Sequence, residues 1–349
     1  MIFYKKLITW YLQNKRSLPW RKTKDPYKIW LSEIILQQTR VAQGLPYYNA
    51  FVAAYPTVYD LAAAKEEEVL KLWQGLGYYS RARNLHATAN YVTKELKGQF
   101  PKDYKGLLTL KGVGDYTASA IASICYDEAT PVVDGNVYRV LSRFYGVHTP
   151  INSTKGVKEF KKLATEVMDP KQPAIYNQAI MEFGAVQCKP KSPDCPNCPL
   201  HTACVGYKNA DVDVLPVKEK KIKVKKRFFH YIVYRFEEQT ILKKRTNKGI
   251  WFNLYEFPLL ECDKILSVKE LKKRLANKDM ITDSLDLVPF NQEPVVHKLS
   301  HQHLYTKFYI VEVNKNRKTI LNNQQWISIR DIEDYPVPVL IGNFMERFF

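Results

Sequence analysis

Four cysteines lie between residues 188 and 204, in the order Cys188-x6-Cys195-x2-Cys198-x5-Cys204. Prolines at 190, 193, 196 and 199 stiffen the intervening loop by fixing φ and removing backbone donors. Thiolates packed this tightly suit one tetrahedral cage of soft ligands, and either a cubane iron–sulfur cluster or a zinc ion would accept them. The competing use of clustered cysteines, a disulfide scaffold, belongs to oxidising compartments. No run of 18 apolar residues is present, and the amino end, MIFYKKLITWYLQNKR, has no hydrophobic segment or small-residue cleavage site of a secretion signal. The expectation is a soluble intracellular protein with no membrane partner, whose four clustered cysteines are metal ligands. Cys125 falls on the apolar stripe Ala118, Ile121, Cys125 of an expected helix and reads as a core residue. Cys262 has no partner legible in the sequence.

The chain has 349 residues, enough for two or three domains, and a formal charge of +18. So strong a positive balance points to a polyanionic partner. Residues 26–205 read as almost wholly helical. Asp25-Pro26 is a helix start, with a capping side chain and proline in the first turn. Ala63–Trp73 and Tyr79–Lys97 have amphipathic spacing, the second with a stripe of Leu85, Ala89, Val92 and Leu96. After Cys204 the pattern changes. The basic stretch KEKKIKVKKR, residues 218–227, has no apolar period and reads as a linker. Alternating segments at Phe228–Phe236, Thr240–Lys244 and Leu304–Val313 then predict strands, with a helix over Ser267–Ala276 between them. The carboxyl-terminal part is expected to be a separate α+β domain.

Two motifs upstream of the cysteines carry chemistry. Leu110-Lys-Gly-Val-Gly-Asp-Tyr-Thr117 joins two helical segments. Its Gly112, Val113 and Gly114 can offer backbone amides at the start of the next helix, a seat for phosphate. This is the helix–hairpin–helix pattern, which holds a DNA backbone without reading its sequence. Asp134-Gly-Asn-Val-Tyr-Arg139 follows, and alone an Asp-Gly pair is only a turn.

In this order and spacing, the hairpin, the aspartate and the cysteine loop resemble the endonuclease III and MutY superfamily of DNA glycosylases. Leu18-Pro-Trp-Arg21, Pro26-Tyr-Lys-Ile-Trp-Leu-Ser-Glu-Ile-Ile-Leu-Gln-Gln-Thr39, Gly75-Leu-Gly-Tyr-Tyr-Ser-Arg-Ala-Arg-Asn84 and Tyr176-Asn-Gln-Ala-Ile-Met-Glu-Phe-Gly-Ala185 are similar to the MutY-type adenine DNA glycosylases. The resemblance covers about the first 205 residues. It implies a mainly α glycosylase region over 1–205, with a six-helix-barrel subdomain at about 22–132 and an iron–sulfur subdomain from about 1–21 and 133–205. A basic linker over 206–227 would lead to a MutT-like, Nudix-fold domain over 228–349.

The resemblance also implies an activity: removal of adenine mispaired with 8-oxoguanine, and with guanine, from double-stranded DNA in base excision repair. It makes Asp134 catalytic, with Asn136 holding it and Tyr116 tuning it. Bifunctional relatives place a Schiff-base lysine where this chain has Tyr116, so a monofunctional enzyme is expected. Glu33 is the expected acid. Adenine leaves readily only when protonated, and a carboxyl kept neutral by apolar neighbours such as Trp30, Leu31, Ile34 and Ile35 can supply that proton. On a helix from Pro26, Trp30, Glu33 and Gln37 share a face. The resemblance further implies base-pocket contacts from Trp20, Arg21 and Gln178. Gln38, Thr39, Leu76 and Tyr78 are expected to fill the gap left by the extruded base and hold the opposing 8-oxoguanine.

Lys248-Gly-Ile-Trp-Phe-Asn-Leu-Tyr-Glu-Phe-Pro258 resembles the entry of a MutT-like domain, but the Nudix metal signature is broken. Lys273 and Arg274 stand where two carboxylates would bind magnesium, so pyrophosphatase activity is not expected. Leu299-Ser300-His301 falls where the family has a Phe-Ser-His loop, implying a contact of Ser300 and His301 with 8-oxoguanine. The superfamily spacing favours a [4Fe–4S] cluster on Cys188, Cys195, Cys198 and Cys204, with zinc as the alternative. The chain is expected to be a monomer working at the DNA of the cytoplasm or nucleoid.

Overall fold

Asp25 accepts a hydrogen bond from the Tyr27 amide and Pro26 occupies the first turn, so the predicted helix start is realised. A computed structural model of the chain describes residues 2–219, 224–278, 280, 286–314 and 325–349. The helices are α1 (Ile2–Asn14), α2 (Pro26–Leu36), α3 (Val41–Ala54), α4 (Val58–Ala63), α5 (Glu66–Leu72), α6 (Ser80–Lys94), α7 (Tyr104–Leu107), α8 (Asp115–Tyr126), α9 (Gly135–Tyr145), α10 (Thr154–Val167), α11 (Pro173–Val186) and α12 (Val205–Lys208). A short 3-10 turn, Pro19–Arg21, lies between α1 and α2. The expected helix over Ala63–Trp73 is broken after Ala63. The Glu68 carboxylate bonds the Lys65 amide, and Glu66, Glu67 and Glu68 favour a new amino terminus. Leu85, Ala89 and Val92 of α6 are buried as predicted, but the helix ends at Lys94 and Leu96 is only half-buried beyond it.

The chain divides into two units, Met1–Ala63 with Arg83–Lys220, and Ala64–Ala82 with Lys221–Phe349. The first is helical. Its interior contains Trp30, Phe51, Phe160, Tyr176 and Phe183, all at most 1% exposed. Gly184 lets α11 approach α9, because a Cβ there would lie 2.7 Å from Cβ of Asn136.

The second unit holds a mixed sheet of β1 (Lys225–Phe236), β2 (Gln239–Ile241), β5 (Leu259–Cys262), β6 (Val288–Pro289), β7 (Val295–Lys298), β8 (Gln302–Glu312) and β9 (Trp326–Ser328). β3 (Lys243–Lys244) and β4 (Tyr255–Glu256) form a separate pair. β1 and β8 run parallel over eleven residue pairs at the centre, while β5 and β7 are antiparallel neighbours on either side. Helix α13 (Val268–Ala276) covers Ile232, Tyr234, Tyr309 and Val311 with Leu271 and Leu275. α14 (Val339–Phe348) packs Phe344 on Phe308 with ring centroids 4.2 Å apart. β1 begins at Lys225, three residues before the expected strand start. Lys225–Arg227 pair with Gln302–Leu304, and Arg227 also bonds Glu261 and Gln302, which takes these cations out of the linker.

Candidate active site and cysteine centre

A cavity of about 160 Å³ opens between α2, α8, α9 and α11, roughly the size that accepts one aromatic ring. Ile29, Glu33 and Leu36 of α2, Tyr116 of α8, Asp134 and Asn136 before and within α9, and Gln178, Met181, Glu182 and Ala185 of α11 line it. Arg16, Leu18, Trp20, Arg21, Thr39 and Val41 complete the wall. The α2 face on the cavity is thus Ile29–Glu33–Leu36, not the expected Trp30–Glu33–Gln37. Trp30 is fully buried and packs against Phe100, and Gln37 lies past the helix end, bonding Thr117.

Glu33 is 7% exposed. Burial pushes its carboxyl up to about 7, opposed by the Tyr116 hydroxyl bonded to it and reinforced by the nearby Asp134 charge. Asp134 caps α9 and is ringed by donors: the amides of Asn136 and Val137 at 2.9 and 2.8 Å, and Asn136 Nδ2 at 2.7 Å. Burial raises its carboxyl above the ordinary aspartate value, while these bonds and the Arg139 charge oppose the rise. These three donors favour the ionised form against the burial that opposes it. The Tyr116 hydroxyl oxygen also lies 3.2 Å from Met181 Sδ, and burial with both neighbouring carboxyls lifts its phenol well above the usual range.

The opposite wall is of another character. Glu182 is 1% exposed and accepts from Arg16 Nε and Nη2 at 2.8 and 2.7 Å, from the Arg16 amide, and from Arg21 Nη2 at 2.7 Å. Burial alone would raise this carboxyl, but the two guanidinium groups outweigh it and hold it at about 2. Arg16 and Glu182 were missed in the sequence. The signal available was an acid inside the apolar run Ala179-Ile-Met-Glu-Phe183, one turn after Gln178. Gln178 itself accepts from Tyr11, and Trp20 is buried edge-on to Tyr48.

Of the residues expected to fill the gap left by the base, Thr39 lines the cavity and Gln38, Leu76 and Tyr78 do not. Gln38 is exposed with φ of 56°, next to Thr39, which does line it. Leu76 is buried, and Tyr78 is 49% exposed with φ of 47° in the turn after Gly75 and Gly77. In the hairpin between α7 and α8, Gly112 has φ of 81° and leaves no room for a Cβ, which would meet Asn84 at 2.8 Å. Val113 is buried and Gly114 caps α8. Ser300 and His301 are exposed in the β7–β8 turn, where the Leu299 amide bonds the Gln302 carbonyl.

All four clustered cysteines line a second cavity, with Arg143, Phe144, Phe183 and Leu200 around them. Burial raises the Cys198 thiol to about 11, and burial also raises Cys195 and Cys204; charge on the neighbouring cysteines adds to each rise. Among the described residues no three His, Cys, Asp or Glu side chains converge on a single ion. Buried Arg143 fixes this loop, donating to the carbonyls of Lys189, Pro190 and Leu215 and approaching Cys188 Sγ at 3.5 Å. Arg139 bonds the Cys188 carbonyl and Asn136 Oδ1, so a continuous chain of hydrogen bonds runs from the cysteine loop to Asp134. Cys125 is half-buried rather than in the core, its thiol pushed up to about 12 by burial, and Cys262 lies 3.6 Å from Arg274 Nη1.

A helical lobe with a hairpin, a capped aspartate and a cysteine loop defines the class of HhH-GPD superfamily base excision DNA repair proteins, whose family model matches residues 31–167. A NUDIX domain model matches residues 230–347. An adenine DNA glycosylase of Buchnera aphidicola subsp. Schizaphis graminum is 32% identical over 350 residues, covering 99% of both chains. One from Homo sapiens is 45% identical over 218 residues, covering 60% of this chain and 40% of that protein. The chain belongs to the adenine DNA glycosylase family. Among solved structures, a thermostable thymine-DNA glycosylase superposes with a TM-score of 0.55 at 29% identity, over 60% of this chain and 96% of that one. A non-covalent endonuclease III–DNA complex gives 0.52 at 23% identity, over 60% of this chain and 99% of that one, and shares the fold.

Proposed function

We propose that this chain hydrolyses the N-glycosidic bond of adenine lying opposite 8-oxoguanine or guanine in duplex DNA, leaving an abasic site. The observation that carries the reading is one cavity with two carboxyls in different environments: Glu33 in an apolar wall with a carboxyl near 7, Asp134 saturated with donors. Glycoside-cleaving sites use such a pair. Adenine inside a duplex is out of reach, so the nucleotide must rotate out of the stack. Protonated Glu33 gives its proton to the imidazole-ring nitrogen of the departing base. Asp134, held ionised by the Asn136 and Val137 donors, stabilises the cationic sugar from the other side and forms a transient bond to it. Glu33, now a carboxylate, takes a proton from water as the sugar is hydrolysed. Asn136 orients Asp134, and Tyr116, lacking an amine, cannot form the imine that strand cleavage by elimination requires.

The Glu182 carboxylate offers acceptors to adenine's exocyclic amine, while Arg16 and Arg21 supply donors for its ring nitrogens. Trp20 and Gln178 shape the same wall. Gln38, Thr39, Leu76 and Tyr78 serve the space vacated by the base, and Ser300 and His301 contact 8-oxoguanine. Gly112, Val113 and Gly114 seat a backbone phosphate. We assign the chemistry to residues 1–205 and recognition of the opposing base to residues 225–349, joined by a connecting segment over 206–224, in a DNA-associated intracellular monomer.

Cys188, Cys195, Cys198 and Cys204 would hold a [4Fe–4S] cluster. Four thiolates lining one cavity would accept such a cluster or a zinc ion, and the superfamily spacing of the cysteines favours the cluster. When bound, such a group supplies a rigid, charged brace for the loop that Arg139 ties to Asn136. A brown purified protein containing iron supports this, and a colourless, zinc-loaded one overturns it. For the reaction, a duplex with adenine opposite 8-oxoguanine is incubated with the protein and then with alkali. Strand cleavage only after alkali supports monofunctional adenine removal. Cleavage without alkali, with a borohydride-trapped adduct, sinks it.

A further inference from the structure

Asp115 is the first residue of α8, directly after the Gly114 cap. Ala118 donates its amide back to the Gly114 carbonyl, so the amides of Asp115, Tyr116 and Thr117 have no acceptor inside the helix. A carboxylate at this place suits the positive end of α8. It is the wrong sign, however, for a helix start that is to receive a phosphate. Lys161 of α10 answers that charge. Its ammonium donates to Asp115 Oδ2 at 3.0 Å, to Ser119 Oγ at 3.2 Å and to the Pro131 carbonyl at 2.8 Å, which uses all three of its protons. It also lies 5.6 Å from the Tyr104 ring centroid, and the Tyr104 hydroxyl donates to the other Asp115 oxygen. Burial and the bond to Asp115 lift that phenol to about 12, so it remains a donor.

The bond to Pro131 brings the same ammonium to a second part of the site. Residues 130–133 run between α8 and α9 without helix or strand, and Asp134 follows three residues after Pro131. This segment is gripped on successive residues from two helices. Asn177 of α11 donates to the Thr130 carbonyl and accepts from the Val132 amide, while Lys161 of α10 takes the carbonyl between them. Pro131 is buried, so its carbonyl has been taken out of water and relies on that donor.

We infer that Lys161 is a positioning residue for the proposed reaction: it neutralises Asp115 at the phosphate seat and ties that seat to the segment that delivers Asp134. The inference rests on the readings that the hairpin seats a DNA phosphate and that Asp134 acts on the sugar. Without Lys161 the Asp115 carboxylate faces the incoming phosphate uncompensated, and like charges about 4 Å apart weaken binding roughly 5-fold even in water. The Pro131 carbonyl also loses its donor, which frees the approach to Asp134 to shift. A displacement of about 1 Å at a reacting group can cost roughly 100-fold in rate.

The two effects separate in a double-mutant cycle on the full chain. Binding is read by anisotropy of a fluorescein-labelled, fully paired duplex, and adenine release by single turnover at saturating protein on a duplex with adenine opposite 8-oxoguanine. K161M should bind roughly 5-fold more weakly and release adenine roughly 10- to 100-fold more slowly. D115N removes the opposing charge and leaves Lys161 in place, so it should tighten binding roughly 2- to 5-fold. In K161M with D115N, binding should return to within about twofold of the parent while release stays as slow as in K161M, because Pro131 still lacks its donor. K161R keeps a cation with several donors and should recover part of the release rate. K158M, which removes an exposed lysine of the same helix, should match the parent in both assays. A purely structural lysine would lower the unfolding midpoint in K161M, and D115N would restore nothing. Parental binding and release in K161M overturns the inference, as does a double variant whose binding is not restored or whose release recovers with it. If K161M does not fold, D115N carries the test alone, and unchanged or weaker binding overturns the inference. A parent chain that binds duplex and releases no adenine sinks the proposed function, with the binding cycle still reading the neutralising role. A parent chain that releases adenine while the cycle shows no change sinks the inference alone.

Discussion

Glu33 in the helical unit and Glu256 in the sheet unit are both 7% exposed, and burial raises the carboxyl of each. Their surroundings differ. Glu256 accepts from Tyr231 at 2.8 Å and from Arg245 at 2.6 and 2.9 Å, so its oxygens are spoken for by side chains that never leave. Glu33 faces a cavity, and the partner bonded to it is a phenol that can follow it through a change of charge. A raised carboxyl is thus no mark of catalysis by itself. A raised carboxyl with an open face toward a second, donor-saturated carboxylate marks a candidate acid.

The largest test of this contrast removes each acid in turn. Glu33→Gln keeps the shape and loses the proton donor, so adenine release under single-turnover conditions should fall by at least the 10²–10⁴ typical of general acid catalysis, with mismatch binding retained. Asp134→Asn should do comparable damage. A Glu33→Gln protein that releases adenine at the parental rate would break the assignment. Glu256→Gln, by contrast, should leave the rate constant for release within a few-fold of the parent.

The same pair separates along the pH axis. Under the proposed mechanism Glu33 is the acid and must be protonated before base release. With its carboxyl near 7, the single-turnover rate should hold below neutrality and fall roughly tenfold per pH unit above about pH 7.5, one proton being required. Glu256→Gln should leave that profile in place. A flat profile from pH 6 to 9 would remove Glu33 from the acid role.

Local chemistry made half of this contrast readable in advance. The helix start at Asp25-Pro26, the hairpin glycines and the cysteine loop depend on residues close in sequence, and so does the cap that Asp134 places on α9. The details around Glu33 were less legible. Gln37 was assigned to its face by helical periodicity, but the helix stops at Leu36 and the turn through Gln38 carries Gln37 away to Thr117. Arg16 and Glu182 pair across 166 residues, a distance over which no periodicity speaks. The Tyr231–Glu256–Arg245 network was likewise invisible, because strand register brings its members together. Lys225–Arg227 read as linker since nothing in a basic run announces that β8 will pair with it.

Stability should reverse the ranking of the two acids. Breaking a buried pair by deleting one partner typically costs about 3–5 kcal/mol, since the other charge is left uncompensated. Glu256→Ala strands Arg245, whose Nε has no partner among the described residues, and should cost about that much in urea unfolding of the sheet unit. Glu33→Gln leaves no charge stranded and should cost less than about 1 kcal/mol. Equal losses in the two variants would mean that Glu33, too, is held as a structural group.

The smallest effect belongs to His230, the sheet unit's own titrating group and another test of whether a buried ionisable residue there is structural. Its ring is fully buried, with Nδ1 3.3 Å from the Leu260 carbonyl and Nε2 3.0 Å from the Leu266 amide. Nε2 must accept from an amide, so the ring is neutral with its proton on Nδ1, donated to Leu260. Burial depresses its pKa, and the Lys307 and Arg274 charges add to that, while the Leu260 bond opposes it. A folded-state value below the unfolded one means that the unfolded chain binds the extra proton first. The neutral ring's contribution is therefore fully present above about pH 6.5 and is lost as acid is added below it. The cost is bounded by turning the Leu266 amide from a partner into a buried orphan, about 1–3 kcal/mol. Urea midpoints of the sheet unit should accordingly drop between pH 7 and 5.5, and His230→Asn, which cannot gain a proton, should flatten that drop while lowering the midpoint at pH 7. If the variant keeps the parental pH slope, the acid sensitivity lies elsewhere and the His230 ring is only a spacer between β1 and the Leu266 turn.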